Sequence, residues 1–107
     1  MKNTSVMPLP VRRALKKLGE DLREARIRRS LTMALVEERA GITHATLTSV
    51  ERGKSTVSIG IYAKVMFVLG LIDNLYGLAD LENDPAGRIY AHEQLPKRVR
   101  YKKGEYK

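Results

Sequence analysis

Residues 32–53 read TMALVEERAGITHATLTSVERG, and this stretch decides the fold. A threonine stands before each of two short segments, where its side chain can cap a helix N-terminus. A glycine follows each segment, where helices commonly end in a left-handed residue. The spacing therefore predicts two helices, Met33–Ala40 and His44–Arg52. Only Gly41-Ile42-Thr43 joins them, and so short a link forces a sharp turn.

The outward side of the second predicted helix is small or polar throughout. It is formed by His44, Ala45, Thr46, Thr48, Ser49 and Arg52. A helix that enters the DNA major groove, which is about 12 Å wide, requires side chains of this kind. The alternative is an ordinary helical hairpin with a solvated face, but such faces usually carry more Glu and Lys. We therefore predict a helix-turn-helix whose second helix contacts double-stranded DNA.

Three more helices are predicted around this pair. The first runs from Val11 to about Arg29, because apolar residues recur there in steps of three and four. Ser58 caps a fourth helix that Gly70 ends, and Asp73 begins a short fifth one. Five short helices with short links indicate an all-α domain, and no convincing strand precedes residue 95.

The organisation of the chain follows from these elements. We place a flexible lead at residues 1–10, the helix-turn-helix domain at residues 11–82 and a basic C-terminal extension at residues 83–107. Asn83-Asp84-Pro85 is typical of a turn and marks the start of the extension. Beyond Pro96, basic and apolar residues alternate, which fits either a two-faced strand or a disordered basic arm.

The apolar positions of the helices predict the core. The inward residues are Ile42, Leu47 and Val50 of the helix-turn-helix and Ile59, Tyr62, Ala63, Met66 and Leu69 of the fourth helix. Phe67 and Tyr76 are also interpreted as core residues rather than as a stacking platform for single-stranded nucleic acid. Gly19 is a weak point of the first helix, since glycine costs about 1 kcal/mol there relative to alanine.

The net charge of +8 is concentrated at the two ends of the chain. Residues 1–29 hold nine basic and three acidic residues, and residues 95–107 hold six basic residues and one acidic residue. Between them, residues 30–55 are neutral and residues 56–94 carry a charge of −3. A chain this small and basic favours a polyanionic partner, with nucleic acid ahead of an anionic membrane or an acidic protein. A basic helix and tail that are merely solvated are the alternative.

Composition and spacing exclude several other chemistries. The chain has no cysteine, so disulfides, thiolate metal sites and cysteine nucleophiles are ruled out. No carboxylate spacing around His44 or His92 suggests a metal site, and Gly53-Lys54-Ser55 lacks the first glycine and the strand of a P-loop. The longest apolar run, residues 65–72, is far shorter than the roughly 20 residues of a membrane span. We expect no enzyme activity, no cofactor and no membrane partner, and we expect a cytoplasmic protein associated with the nucleoid.

A longer pattern runs through the first three predicted helices. It comprises Leu18-Gly19, Leu22-Arg23, Arg26, Leu31-Thr32, Ala40-Gly41-Ile42-Thr43 and Leu47-Thr48-Ser49-Val50-Glu51-Arg52-Gly53-Lys54. Over about residues 15–81 the chain resembles the Cro/C1-like (XRE) repressors. Less specifically, residues 58–63 and 95–100 resemble the HipB-like branch, the DNA-binding partners of HipA-type kinase toxins. The resemblance implies the five-helix, lambda-repressor-like DNA-binding fold, here with a basic C-terminal tail.

The resemblance also implies roles for single residues. His44, Ala45 and Ser49 match positions that read base edges. The positions that hold phosphates are matched by Thr32, Thr43, Thr46, Thr48, Arg52, Lys54 and Ser55. Phosphate contacts set the register of a protein on DNA without reading its sequence. Arg26 and Glu51 match an ion pair that connects the first helix to the recognition helix.

Two residues depart from the pattern of the family. Met33 stands where the family usually has a glutamine that reaches a phosphate, and Glu37 stands where it usually has a tightly packed alanine. A carboxylate at position 37 must reach solvent or find a cation, and we expect Arg39 or an arginine of the first helix to supply one.

A two-fold dimer is expected for two reasons. A core of about 65 residues is marginally stable alone, and one recognition helix contacts only a few base pairs. Two copies would reach half-sites about 34 Å apart on a palindromic operator. Leu75, Leu78 and Leu81 of the fifth helix and its surroundings are the predicted dimerisation residues. The alternative is that these leucines only close the core of the monomer.

Two functions remain open at this point. The first is a sequence-specific repressor that autoregulates a toxin–antitoxin operon with a HipA-type kinase toxin. The alternative is an antitoxin or adaptor subunit whose main role is docking to the kinase toxin, with DNA binding secondary. The basic segment after Leu95 motivates the alternative.

Overall fold

The structure is a computed structural model, and it describes residues 6–94. That part of the chain is helical and contains no strand, which confirms the predicted all-α fold class. The elements are α1 (Leu9–Arg28), α2 (Met33–Ala40), α3 (His44–Glu51), α4 (Ile59–Leu69), α5 (Asp73–Tyr76), a 3-10 turn (Leu81–Asn83) and α6 (Pro85–Gln94). No helix within the described range is long and apolar enough to cross a membrane. The strand or arm expected beyond Pro96 lies outside the described residues.

Local side-chain chemistry sets the ends of the central helices. The hydroxyls of Thr32, Thr43 and Ser58 accept hydrogen bonds from backbone N–H groups three residues on, at 3.1, 3.1 and 3.3 Å. Gly41 and Gly70 end α2 and α4 in the left-handed region, with φ of 68° and 78°. Glycine has no Cβ to penalise this conformation. The predicted caps and glycine ends of these helices are therefore confirmed.

Helix α1 begins earlier than expected. The prolines were expected to exclude residues 1–10 from the helix, but the structure starts α1 at Leu9, with Pro8 as its N-cap and Pro10 in its first turn. A proline is tolerated there because the first N–H groups of a helix have no intrahelical partner.

Helix α3 ends one residue earlier than predicted. Its last residue is Glu51, and Arg52 is its C-cap.

The described residues divide into two compact units, of which the first ends at Leu75 and the second begins at Tyr76. The core of the first unit is formed by Leu22, Ala25, Val36, Leu47, Val50, Tyr62, Val65, Met66 and Leu69. Helices α1 and α3, α2 and α3, and α2 and α4 all contact one another around it. Leu47, Val36, Val50 and Val65 are the largest side chains that lose essentially all contact with solvent. Their burial, worth about 1.5–3 kcal/mol for each large aliphatic side chain, stabilises the first unit.

Three apolar residues were assigned to the core wrongly. The buried stripe of α4 is Tyr62, Val65, Met66 and Leu69, and Ile59 at the first position of the helix is exposed. Phe67 follows Met66 by about 100° of helical rotation and points away from the stripe. Tyr76 is also exposed. These three residues are therefore exposed because no neighbouring helix covers the side of the helix on which each of them lies.

The second unit contains the helix that sequence analysis missed. Asn83-Asp84-Pro85 was interpreted as a turn, but Pro85 is the first residue of α6. The Asp84 carboxylate accepts a hydrogen bond from the Gly87 N–H at 2.9 Å, as a helix cap does. The predicted count of five helices is therefore wrong, and the described residues contain six. The residues that favour a turn also favour a helix start, because proline suits the first helical position.

Candidate nucleic-acid interface

Two glycines let α1 approach the end of α3 closely. Gly19 is buried in α1, and a Cβ there would lie 2.5 Å from the Gly53 nitrogen and 2.7 Å from the Val50 carbonyl oxygen. Gly53 has a φ of 70° and in turn lies against the backbone of Leu15 and Lys16. Gly19 is therefore a packing site between two backbones, and the interpretation of this residue as a weak point missed that role.

An ion pair connects the same two helices. Arg26 Nε donates to Glu51 Oε2 at 2.7 Å, and Arg26 Nη2 donates to Glu51 Oε1 at 3.1 Å. The two side chains are only 11% and 7% exposed. The remaining nitrogen, Nη1, donates to the Leu31 carbonyl at 3.1 Å. A planar guanidinium suits this two-pronged contact, which fixes the C-terminal end of α3 relative to α1.

The segment after α3 is anchored by Tyr62. Its hydroxyl donates to the Lys54 carbonyl oxygen at 2.7 Å, and its ring is buried in the core. Burial raises the pKa of the Tyr62 hydroxyl. The sequence predicted only the core role of this tyrosine. The hydrogen bond holds the backbone that carries two of the expected phosphate contacts, Lys54 and Ser55.

The exposed side of α3 carries the predicted base-reading residues. His44 and Ala45 are exposed, while Ser49 and Thr48 are half-buried. At about 100° per residue these four positions fall within one arc of the helix, and the buried Leu47 lies outside that arc. Nothing on this arc is larger than an imidazole, apart from Arg52 at its end. The structure therefore brings His44, Ala45 and Ser49 to one outward face.

The predicted phosphate-binding residues fall into two groups. The hydroxyls of Thr32 and Thr43 cap α2 and α3, and the Thr43 hydroxyl donates to Thr46 Oγ1 at 2.9 Å. Thr46 thus keeps its own hydroxyl hydrogen, which a phosphate oxygen can accept. The second group, beyond the end of α3, consists of the exposed residues Arg52, Lys54 and Ser55. Thr48 lies between the groups.

A shallow depression adds a residue that sequence reasoning missed. About 210 Å³ in volume, it is lined by Arg23, Met33, Thr48, Glu51 and Arg52. Arg23 precedes Arg26 by three residues, so the two arginines lie on neighbouring parts of α1. That spacing was the available signal, but sequence analysis named Arg23 only as part of the longer pattern that carries the family resemblance. Glu51 is paired with Arg26, and within the described part of the chain neither Arg23 nor Arg52 forms an ion pair. The depression therefore presents two guanidinium groups and the Thr48 hydroxyl.

The partner of Glu37 differs from the expectation. We expected Arg39 or an arginine of the first helix, but Glu37 Oε2 lies 2.7 Å from His44 Nδ1. The Glu37 side chain is 17% exposed and that of His44 is 69% exposed. Arg39 is on α2 with Glu37 but only two residues further on, a spacing at which side chains do not face each other. A predicted base-reading residue is therefore hydrogen-bonded to the carboxylate that departs from the family pattern.

Comparison with known proteins identifies the family. A family model described as a helix-turn-helix domain matches residues 17–83, well over half of the chain. The chain belongs to this helix-turn-helix family. Comparisons with curated proteins and with solved structures give no match. In helix-turn-helix domains the second helix of the motif lies in the major groove of DNA, so this is an XRE-like, DNA-binding transcription regulator.

Proposed function

We propose that this helix-turn-helix protein is a sequence-specific repressor that binds a palindromic operator as a homodimer. The observation that carries the proposal is the outward face of α3, which is narrow, contains only small or polar side chains and is flanked by cations. The buried Arg26–Glu51 pair and the Gly19–Gly53 contact support it, because they hold α3 rigidly on the core. A preorganised recognition helix loses little conformational freedom when it binds.

Within this proposal, base readout is modest and backbone contacts supply much of the affinity. His44 and Ser49 offer hydrogen-bonding groups, and Ala45 offers apolar contact to a thymine methyl group. None of the three side chains forms the bidentate hydrogen bonds by which arginine reads guanine or glutamine reads adenine. The proposed phosphate contacts are Thr32, Thr43, Thr46, Thr48, Arg52, Lys54 and Ser55, to which the 210 Å³ depression adds Arg23. Because phosphate contacts outnumber base contacts in this set, we expect much of the affinity to come from phosphates and from the shape of the DNA.

The second unit supplies the proposed dimer surface. Leu78 and Leu81, two of the predicted residues, are 66% and 48% exposed, and Ile89 and Tyr90 are 60% and 63% exposed. Leu75, the third predicted residue, instead packs partly against the core of the first unit. Apolar side chains exposed to this extent are available to form an interaction surface. We therefore assign dimerisation to Leu78 and Leu81 with Ile89 and Tyr90, and assign Leu75 a smaller share.

Selection from a pool of randomised duplexes of about 20 base pairs tests the function, because that length holds two half-sites one helical turn apart. The wild-type protein is expected to enrich a palindrome. His44→Ala and Ser49→Ala are expected to flatten the preference at particular base positions. Equal recovery of all sequences by the wild-type protein would contradict sequence-specific binding.

A salt titration separates backbone contacts from base contacts. Lys54→Ala is expected to weaken binding to all sequences alike and to lower the slope of log K against log salt by about one unit. Lys64→Ala is the matched control, because it removes the same charge from α4, outside the proposed interface. A flat salt response of the wild-type protein, or equal effects of the two variants, would argue against the assigned interface.

The operator of the proposed repressor would be that of a toxin–antitoxin operon with a HipA-type kinase toxin. The second candidate function is an antitoxin or adaptor subunit whose main role is docking to such a kinase toxin, with DNA binding secondary. Phe67, 69% exposed, favours it. This residue borders a depression of about 340 Å³ between α2 and α4, and Arg39 and Lys64 also line it. These cations would complement an acidic segment of the kinase. This candidate predicts a kinase-like gene beside this one. It also predicts that Phe67→Ala no longer captures the kinase while its DNA binding is unchanged.

A further inference from the structure

The contact between Glu37 and His44 concerns the position of the proton on the imidazole ring. Glu37 Oε2 lies 2.7 Å from Nδ1 of His44, across the turn that joins α2 to α3. An ionised carboxylate can only accept a hydrogen bond, so the proton of this contact belongs to Nδ1. The other ring nitrogen, Nε2, is therefore the atom left to face a ligand. An imidazole without such a partner can carry its single proton on either nitrogen.

The backbone that carries Glu37 is held in place by the turn. The carbonyl oxygen of Glu37 accepts a hydrogen bond from the Ile42 N–H at 3.0 Å, and the Gly41 N–H reaches the carbonyl of Glu38 at 3.3 Å. These are the bonds that close the end of a helix after a left-handed glycine. His44 follows on the other side of the turn, directly after the Thr43 cap. The carboxylate and the imidazole are thus placed by the helix-turn-helix itself.

Other charged groups of α2 and α3 do not form this contact. Glu51 is paired with Arg26 at the far end of α3, and Arg52 follows it there. Among the described residues, Glu37 is the only charged side chain that forms a hydrogen bond or ion pair with His44. The choice of the protonated nitrogen therefore rests on Glu37 alone.

We propose that Glu37 is a positioning residue that keeps a proton on Nδ1 of His44, so that Nε2 reads a base in the major groove. The proposal rests on the proposed DNA-binding function and adds a determinant of its specificity. With the single proton of the neutral ring on Nδ1, Nε2 is an acceptor, which suits the exocyclic amino group of adenine or cytosine. Without Glu37, the neutral ring can carry its proton on either nitrogen, and the protein discriminates less well between bases at this position.

Glu37→Gln is the test variant, and Glu38→Gln is its matched control. Both remove one negative charge from α2, but Glu38 is exposed, and His44 pairs with Glu37 rather than with Glu38. A glutamine at position 37 can accept a hydrogen bond from Nδ1 or donate one to it, so it no longer selects the protonated nitrogen. Thermal unfolding of both variants checks that they remain folded.

The first arm measures the imidazole ¹⁵N resonances of His44 in the free protein. The wild-type protein and Glu38→Gln are expected to show the proton on Nδ1, whereas Glu37→Gln is expected to show both nitrogens sharing it. A wild-type ring with its proton on Nε2 alone would overturn the proposal whatever the variants do.

The second arm selects sequences from the same pool of randomised duplexes. At the base position where His44→Ala flattens the preference, Glu37→Gln is expected to reduce discrimination by roughly two- to tenfold, the range for one hydrogen bond. Glu38→Gln is expected to leave it unchanged. If the wild-type protein selects no sequence, the proposed function fails and base reading by Nε2 fails with it. If the wild-type protein selects a sequence and Glu37→Gln keeps its preference, only the positioning role fails.

Discussion

The two units of the chain differ in how far their apolar side chains are buried. The first unit buries Leu47, Val36, Val50 and Val65 almost completely. In the second unit, no side chain described, from residue 76 to residue 91, is buried, and Leu78 and Tyr90 are more than half exposed. The first unit therefore carries its own core and the recognition helix. The second unit presents exposed apolar side chains, and a second copy of this chain is the partner that we propose for them.

The largest expected effect in the first unit comes from the buried ion pair. Arg26→Ala leaves the Glu51 carboxylate buried without its partner, and we expect a loss of about 3–5 kcal/mol in the free energy of unfolding. Urea denaturation followed by circular dichroism measures this loss. Arg23→Ala, which removes an exposed arginine from the same helix, is the control and should cost less than about 0.5 kcal/mol. Equal losses for the two variants would show that the pair does not hold α3.

The glycine contact between α1 and α3 gives the next largest effect. Gly19→Ala places a methyl group against the backbone of Val50 and Gly53, where neither flexible side chain nor empty space can absorb it. We expect a loss of about 1–3 kcal/mol, typical of overpacking. In Gly60→Ala, the control within α4, the nearest atom is the Ser58 hydroxyl at 3.8 Å, so that change should be neutral or slightly stabilising. A Gly19→Ala protein as stable as the wild type would contradict the close approach.

The Tyr62 hydrogen bond gives a smaller, pH-dependent effect. Tyr62→Phe is expected to cost about 0.5–1.5 kcal/mol at neutral pH, because the Lys54 carbonyl loses its donor. Since the pKa of Tyr62 is raised in the folded state, its contribution is present below the unfolded value of about 10 and is lost as the pH rises through the folded value. Unfolding measured from pH 8 to pH 11 should show this loss in the wild type and not in Tyr62→Phe. Tyr76→Phe, at an exposed tyrosine, should behave as the wild type.

The smallest effect on unfolding, and the largest on assembly, is expected in the second unit. Leu78→Ser combined with Ile89→Ser should change the free energy of unfolding of the first unit by less than about 0.5 kcal/mol, because both residues are exposed. Sedimentation should nevertheless show a shift from dimer to monomer. Phe67→Ser removes an equally exposed apolar residue from the first unit and should leave the dimer intact. A dimer that survives the double change would place the interface elsewhere.

Much of the fold could be predicted because its signals are local. Thr32 and Thr43 begin helices with their own hydroxyls, and Gly41 ends one through its own φ. The same local chemistry was ambiguous at Asp84-Pro85, where a turn and a helix start use the same residues. Leu47 and Val50 could be assigned to the core from spacing, whereas Phe67 could not be excluded from it, because burial depends on which neighbour covers a given helix angle.

The site was predictable to a similar degree. The outward face of α3 follows from helical periodicity, and the family resemblance implied the pair of Arg26 and Glu51. The partner of Glu37 and the role of Arg23 did not follow, because each depends on how two helices are oriented across a turn. Periodicity assigns a residue to one face of its own helix, and it carries no information about which side chain of another helix lies opposite.

What the sequence by itself determined is the presence of helices α1 to α5, the caps of α2, α3 and α4, and the small, polar character of the second helix of the motif. These properties arise from interactions within a few residues of each other. Only the tertiary structure decided that Gly19 meets Gly53, that Glu37 meets His44 and that Leu78, Leu81, Ile89 and Tyr90 stay exposed. Each of these depends on how one helix is oriented against another or on whether any element covers a side chain, and the packing of the helices sets both.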